Sequence, residues 1–176
     1  MPRHHRMAEP ARVVASRLLP MALALAALLA CAAPGRAGET GLSVPRWVSI
    51  RASEVNLRTG PGISYPVEWV YHRRRMPVEV LAEFESWRKI RDWEGTVGWV
   101  HQSMLDGRRT ALVTGGPRLL RREPRDDAPV VAKLQEGVIG RLEACEIQWC
   151  EIEAGGYSGW LKRGQFWGVY PDEVWR

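Results

Sequence analysis

Cys145 and Cys150 are the first residues whose type and spacing suggest chemistry. They bracket Glu146-Ile147-Gln148-Trp149, a separation that closes across a tight β-turn. As thiols they would be buried or belong to a metal or redox site, but no His lies near them to complete a zinc set. Oxidised, they form a disulfide, the default outside the reducing cytoplasm, contributing about 2 kcal/mol for so short a loop. A second group is aromatic: the chain has nine Trp, four Tyr and only two Phe. Tyr65, Trp69, Tyr71, Trp87 and Trp93 are candidates for a ligand-binding surface, because half-exposed rings line peptide- and glycan-binding grooves. The competing use of these rings is to fill an interface between folded units. A third group is the basic run His72-Arg73-Arg74-Arg75, in which Arg73 and Arg74 are candidate contacts for phosphate, carboxylate or acidic lipid. Surface charge is the commoner explanation, since Glu68, Glu79, Glu83 and Glu85 lie close in sequence.

No GxSxG elbow, HExxH pair or phosphate-binding Walker loop occurs, so no catalytic residue, metal ligand or cofactor is expected and the chain reads as a non-enzyme. The Gly60-Pro61-Gly62 stretch is read as turn architecture, its glycines supplying backbone angles that other residues avoid.

The charge balance points to export. The 25 Lys+Arg against 20 Asp+Glu give a net +5, which invites a nucleic-acid reading. Yet Arg3, Arg6, Arg12, Arg17 and Arg36 precede Gly38 with only Glu9 against them, so the rest of the chain is nearly neutral. Between those arginines runs an uncharged stretch, Leu18 to Ala33, too short for the roughly 20 apolar residues of a spanning helix and interrupted by Pro20. A basic start, a short apolar middle and small residues before a Gly35-Arg36-Ala37 cleavage site make residues 1–37 a secretory signal peptide. The expected location is periplasmic or secreted, with no nucleic-acid partner and no transmembrane segment in the mature chain. The alternative is a lipoprotein: Leu28-Leu29-Ala30-Cys31 resembles a lipidation box that would anchor the protein through Cys31.

The elements that must position these groups repeat. Leu57-Arg58 recurs as Leu120-Arg121, Pro66-Val67 as Pro129-Val130, Trp87 as Trp149, Ile90 as Ile152 and Gly98-Trp99 as Gly159-Trp160, all in order at nearly constant offset. Two related modules follow, 46–106 and 107–170, after a linker 38–45 and before a tail 171–176. Alternation of Val78, Val80, Ala82 and Phe84 with polar neighbours has the period of a half-buried strand. Other short β-branched and aromatic runs, separated by Gly and Pro turns, give about five strands per module and an all-β fold of two small closed barrels. If Ile90 points inward, Trp87 faces outward, and Trp99 and Trp160 are assigned to packing.

Val55-Asn56-Leu57-Arg58-Thr59-Gly60-Pro61-Gly62, then Tyr65-Pro66, Trp87 and Gly98-Trp99, resembles bacterial SH3 domains. The second module is similar to a diverged copy, with Leu119 where the first has Asn56 and without the Gly-Pro-Gly turn. The resemblance implies tandem SH3-like barrels and a non-catalytic binding role in the envelope, towards peptidoglycan or peptide segments. A protein of another class, an interaction scaffold docking an envelope protein, is the alternative.

Overall fold

A two-residue alternation of burial is clear in strands such as Arg46–Ile50, Val55–Arg58, Trp87–Arg91 and Val97–His101, whereas Thr110–Val113 is buried throughout. The computed structural model describes residues 39–176; the export and lipidation readings lie outside the described residues. The first module contains β1 (Arg46–Ile50), β2 (Val55–Arg58), β3 (Val67–Tyr71), β4 (Pro77–Phe84), β5 (Trp87–Arg91), β6 (Val97–His101) and β7 (Leu105–Asp106). The second contains β8 (Thr110–Val113), β9 (Arg118–Arg121), β10 (Val130–Leu134), β11 (Ile139–Cys145), β12 (Trp149–Ala154), β13 (Tyr157–Lys162) and β14 (Phe166–Trp167). The strand orders are β3-β2-β6-β5-β4-β1-β7 and β10-β9-β13-β12-β11-β8-β14, the same topology twice. Seven strands per module exceed the five or so expected, because β7 and β14 are two-residue strands without a visible period. Among the described residues no helix is long and apolar enough to cross a membrane.

Each sheet curls until its inward residues share one core. In the first, Ile50, Leu57, Tyr71, Val80, Ile90 and Val100 meet although they come from six different strands. In the second, Val113, Leu120, Leu134, Leu142, Ile152 and Leu161 do the same. The recurring Gly-Trp pair makes the tight crossing inside each curl. A Cβ on Gly98 would stand 2.6 Å from the Leu57 side chain, and one on Gly159 would stand 2.5 Å from the Arg121 carbonyl. Only glycine lets β6 approach β2, and β13 approach β9, so closely.

The repeat extends to irregularities. Register shifts between Val80 and Ala82 and between Leu142 and Ala144 fall at the same place in β4 and β11. Just beyond them, Glu83 faces Arg88 across β4–β5, and Cys145 faces Cys150 across β11–β12. One module closes this position with an ion pair (3.2 Å) and the other with a disulfide, the Cα atoms 4.1 Å apart.

The segment before β1 and the C-terminal tail are attached at these same edges. Glu83 also accepts hydrogen bonds from the Thr40 amide and hydroxyl (both 2.9 Å) and from Arg46 (2.6 Å). Burial alone would raise the pKa of its carboxyl, but the Thr40 and Arg46 hydrogen bonds outweigh that and hold it at about 2. In the second module the tail returns to Cys145, whose N–H donates to the Trp175 carbonyl (2.8 Å) and whose carbonyl accepts from the Trp175 N–H (3.0 Å).

The modules meet through aromatic and polar contacts that the sequence did not nominate. Trp47 packs edge-on to Trp167 with centroids 4.8 Å apart and lies 5.5 Å from Tyr170. The Tyr170 hydroxyl donates to the buried Glu79 carboxylate (3.0 Å), which also accepts from Arg91 Nε (3.0 Å). Burial and the Glu79 bond push the Tyr170 phenol well above its ordinary range. Ile139 from β11 packs against the first core, and the Thr110 hydroxyl donates to the Arg75 carbonyl (2.8 Å).

Candidate functional site

Trp87 opens β5 with Ile90 three residues on, so a regular strand that buries Ile90 turns Trp87 outward. Ile90 is fully buried and Trp87 half-buried, lying edge-on to His101 at 5.5 Å between centroids. Around the indole lies a groove of about 320 Å³, with Asn56 and Arg58 from β2, Ile63 from the following loop, and His101 and Met104 from the end of β6 and the 3-10 turn after it. Glu54 closes one end, 3.8 Å from His72 in an exposed pair that contributes little. Arg58 is held by the Tyr65 carbonyl (2.8 Å), and His101 Nδ1 by the Ser103 hydroxyl (2.7 Å). The walls therefore offer one aromatic face, two apolar side chains, an amide, a guanidinium, an imidazole and a carboxylate. Such a groove can stack a sugar ring or apolar side chain on Trp87 while Asn56 and Arg58 meet amides and carboxylates.

The second module builds the same groove from equivalent positions and then closes it. Pro117, Leu119, Arg121, Asp126, Trp149, Lys162 and Gln165 replace Glu54, Asn56, Arg58, Ile63, Trp87, His101 and Met104, and about 170 Å³ remains. Lys162 lies 5.2 Å from the centre of the Trp149 ring, and Asp126 clamps its ammonium at 2.6 Å. Trp149 is left only 7% exposed. Leu119 and Pro117 also remove the amide and the carboxylate that line the first groove. One groove is open; its sister is capped.

The other nominated residues scatter. Tyr65 is partly exposed and packs on the turn before it: a Cβ on Gly60 would stand 2.3 Å from its ring. Neither Gly60 nor Gly62 has a positive φ, so the Gly-Pro-Gly turn provides room for Tyr65 rather than the unusual backbone angles expected. Trp69 is exposed on the edge strand β3, and Trp93 is exposed on the β5–β6 turn, at the far end of β5 from Trp87. Tyr71 offers no surface: it is buried in the first core and donates to the Asp92 carboxylate (2.9 Å). Burial and that bond push its phenol far above the ordinary range. Arg73 donates to the Gly137 carbonyl across the junction of the modules, and Arg74 lines a separate cleft. The expected disulfide joins Cys145 to Cys150. Apart from Trp87, the sequence reading missed every wall of this groove: Asn56 and Arg58 on β2, and Glu54, Ile63, His101 and Met104 in loops and at a strand end. Superposing the two repeats supplies the signal, since Lys162 and Asp126 mark the equivalents of His101 and Ile63.

A family model described as bacterial SH3 domain matches residues 51–107 and again 116–168. No curated protein matches the sequence. Among solved structures the chain is similar to NlpC1 and NlpC2 from Trichomonas vaginalis. NlpC1 is 11% identical, with a TM-score of 0.34 over 75% of this chain and 48% of that one. NlpC2 is 10% identical, with a TM-score of 0.33 over 72% of this chain and 49% of that one. An NlpC/P60 family protein from Bacillus cereus is 14% identical, with a TM-score of 0.32 over 69% of this chain and 56% of that one. The chain thus spans about half the length of these structures.

Proposed function

Since the chain belongs to the bacterial SH3 domain family, matched in both of its halves, we propose that it is a non-catalytic binding protein of the cell envelope. Its ligand occupies the Trp87 groove of the first module, while the second module serves as a support. The observation that carries this reading is the contrast between equivalent grooves, one open around Trp87 and one closed over Trp149 by Lys162 and Asp126. The mixture of a stacking face with amide and charged groups suits peptidoglycan or a peptide segment. The disulfide and the basic-apolar N-terminus favour work outside the cytoplasm, in the periplasm, secreted, or anchored through Cys31.

Mixing the protein with purified peptidoglycan, sedimenting and measuring depletion tests the proposal. Depletion by the native protein, lost in Trp87→Ala but kept in Trp93→Ala, is the expected result. No depletion, together with unchanged tryptophan fluorescence on adding soluble muropeptides, would dismiss a cell-wall ligand. New fragments from the muropeptides would contradict the non-catalytic reading.

A further inference from the structure

We infer that the cleft where the two modules meet binds a phosphate-bearing anion, a second ligand site separate from the Trp87 groove. Two adjoining hollows, of about 660 Å³ and about 300 Å³, share Arg75 and Arg108 in their walls. Arg141 lines the first hollow, and Arg51 and Arg74 line the second. Against these five guanidinium groups the walls present only Asp106 and Glu153. Asp106 pairs with Arg108 at 3.4 Å, and Arg141 is held by Glu143 just outside the cleft. Glu153 accepts from the Gly156 amide (3.0 Å).

That leaves Arg51, Arg74 and Arg75. Among the described residues none of the three side chains has an ion-pair or hydrogen-bond partner, whereas most arginines here are held by a carboxylate or a carbonyl. All three are exposed, so solvent screens their mutual repulsion, but their charge exceeds that of Asp106 in the same hollow and attracts a multiply charged anion. Guanidinium forks match phosphate oxygens two at a time.

The sister module shows that the fold does not require this cluster. Arg75 donates its backbone N–H to Ile50 (2.7 Å), as the equivalent Gly137 does to Val113 (2.8 Å). Both residues are left-handed, with φ of 67° and 82°. Glycine takes that conformation freely, and a residue with a Cβ, such as arginine, does so under strain. Arg51 and Arg74 correspond to Thr114 and Glu136, so the second copy has neither charge in the same places. Arginine at a glycine position, beside two further unpaired arginines, is explained by what the side chains hold.

The phosphate has two sources, a lipid headgroup or a soluble phosphorylated molecule, and two assays separate them. Inorganic pyrophosphate is titrated into the full chain while amide shifts are followed. Vesicles of phosphatidylglycerol with phosphatidylcholine, and of phosphatidylcholine alone, are tested for co-sedimentation. The expected result is binding in one assay or both, weakening with salt and weaker by about tenfold or more in Arg75→Gly and in Arg74→Gln. Arg75→Gly relieves the backbone strain and should keep or raise the thermal midpoint, so its loss of binding is not a loss of fold. Shifts with pyrophosphate point to a soluble ligand; sedimentation with the anionic vesicles alone points to headgroups. Arg122→Gln removes an unpaired arginine outside the cleft and should leave binding intact. No binding in either assay, or equal weakening in Arg122→Gln, overturns the inference.

Discussion

Trp87 and Trp149 occupy one position of a repeated fold and differ in what covers them. His101 lies edge-on to the first and leaves its face open, whereas Lys162, held by Asp126, covers the second. Truncating Trp87 should therefore abolish ligand binding with little loss of stability, which parallel binding and thermal unfolding assays would check. In the opposite direction, Lys162→His combined with Asp126→Ile should uncover Trp149, raising its accessibility to acrylamide quenching of fluorescence; unchanged quenching would mean that something else covers the ring. Glu83 gives a pH dependence. Its folded pKa of about 2 lies below the ordinary 4.5, so its stabilisation is fully present above about 4.5 and is lost as pH falls towards 2. Acid unfolding followed by circular dichroism should have a shallower limb across that window in Glu83→Gln. In the sequence, the outward turn of Trp87 could be read from its three-residue separation from Ile90. The groove walls could not, because Ile63, His101 and Met104 belong to loops and strand ends, where no period marks which way a side chain points.

The unit repeated along the chain is a set of strands together with their defects. Register shifts, close-approach glycines and backbone hydrogen bonds recur at the same places, and this is why ordered matches such as Gly98-Trp99 with Gly159-Trp160 revealed the repeat. Those residues are fixed by the crossing of neighbouring strands and tolerate little drift. The β4–β5 and β11–β12 hairpins tolerate more, as the exchange of Glu83–Arg88 for Cys145–Cys150 shows. Because Cys145 also pairs with Trp175, reduction should cost the second module about 2 kcal/mol and loosen the tail. Thermal unfolding and hydrogen exchange of Cys145→Ala/Cys150→Ala would register both effects, with Trp175 among the amides that lose protection. A tail that stays protected without the disulfide would show that strand pairing alone holds it. The tail's return was not legible in the sequence: single backbone pairs such as Cys145 with Trp175 leave no periodic trace.

At the scale of the whole molecule, two SH3-like barrels act as one body through Trp47, Trp167, Tyr170 and the buried Glu79. Aromatic rings do fill the junction, but they are Trp47, Trp167 and Tyr170 rather than the candidates Tyr65, Trp69, Tyr71, Trp87 and Trp93. Composition records how many tryptophans exist, whereas the junction is decided by which strands face each other after both sheets have curled. Tyr170→Phe deletes the hydrogen bond that crosses to Glu79 and should cost about 1 kcal/mol, while Trp47→Ala should split a single unfolding transition into two in calorimetry. Joined in this way, the modules would divide the work as proposed, the first presenting an open groove and the second bracing it. The most direct measurement is a titration of the full chain with soluble muropeptides, read from backbone amide shifts. The expected shifts cluster at Glu54, Asn56, Arg58, Ile63 and His101, with their counterparts Pro117 excepted and Leu119, Arg121, Asp126 and Lys162 unmoved. Equal shifts in both modules, or shifts confined to residues outside the Trp87 groove, would contradict that division.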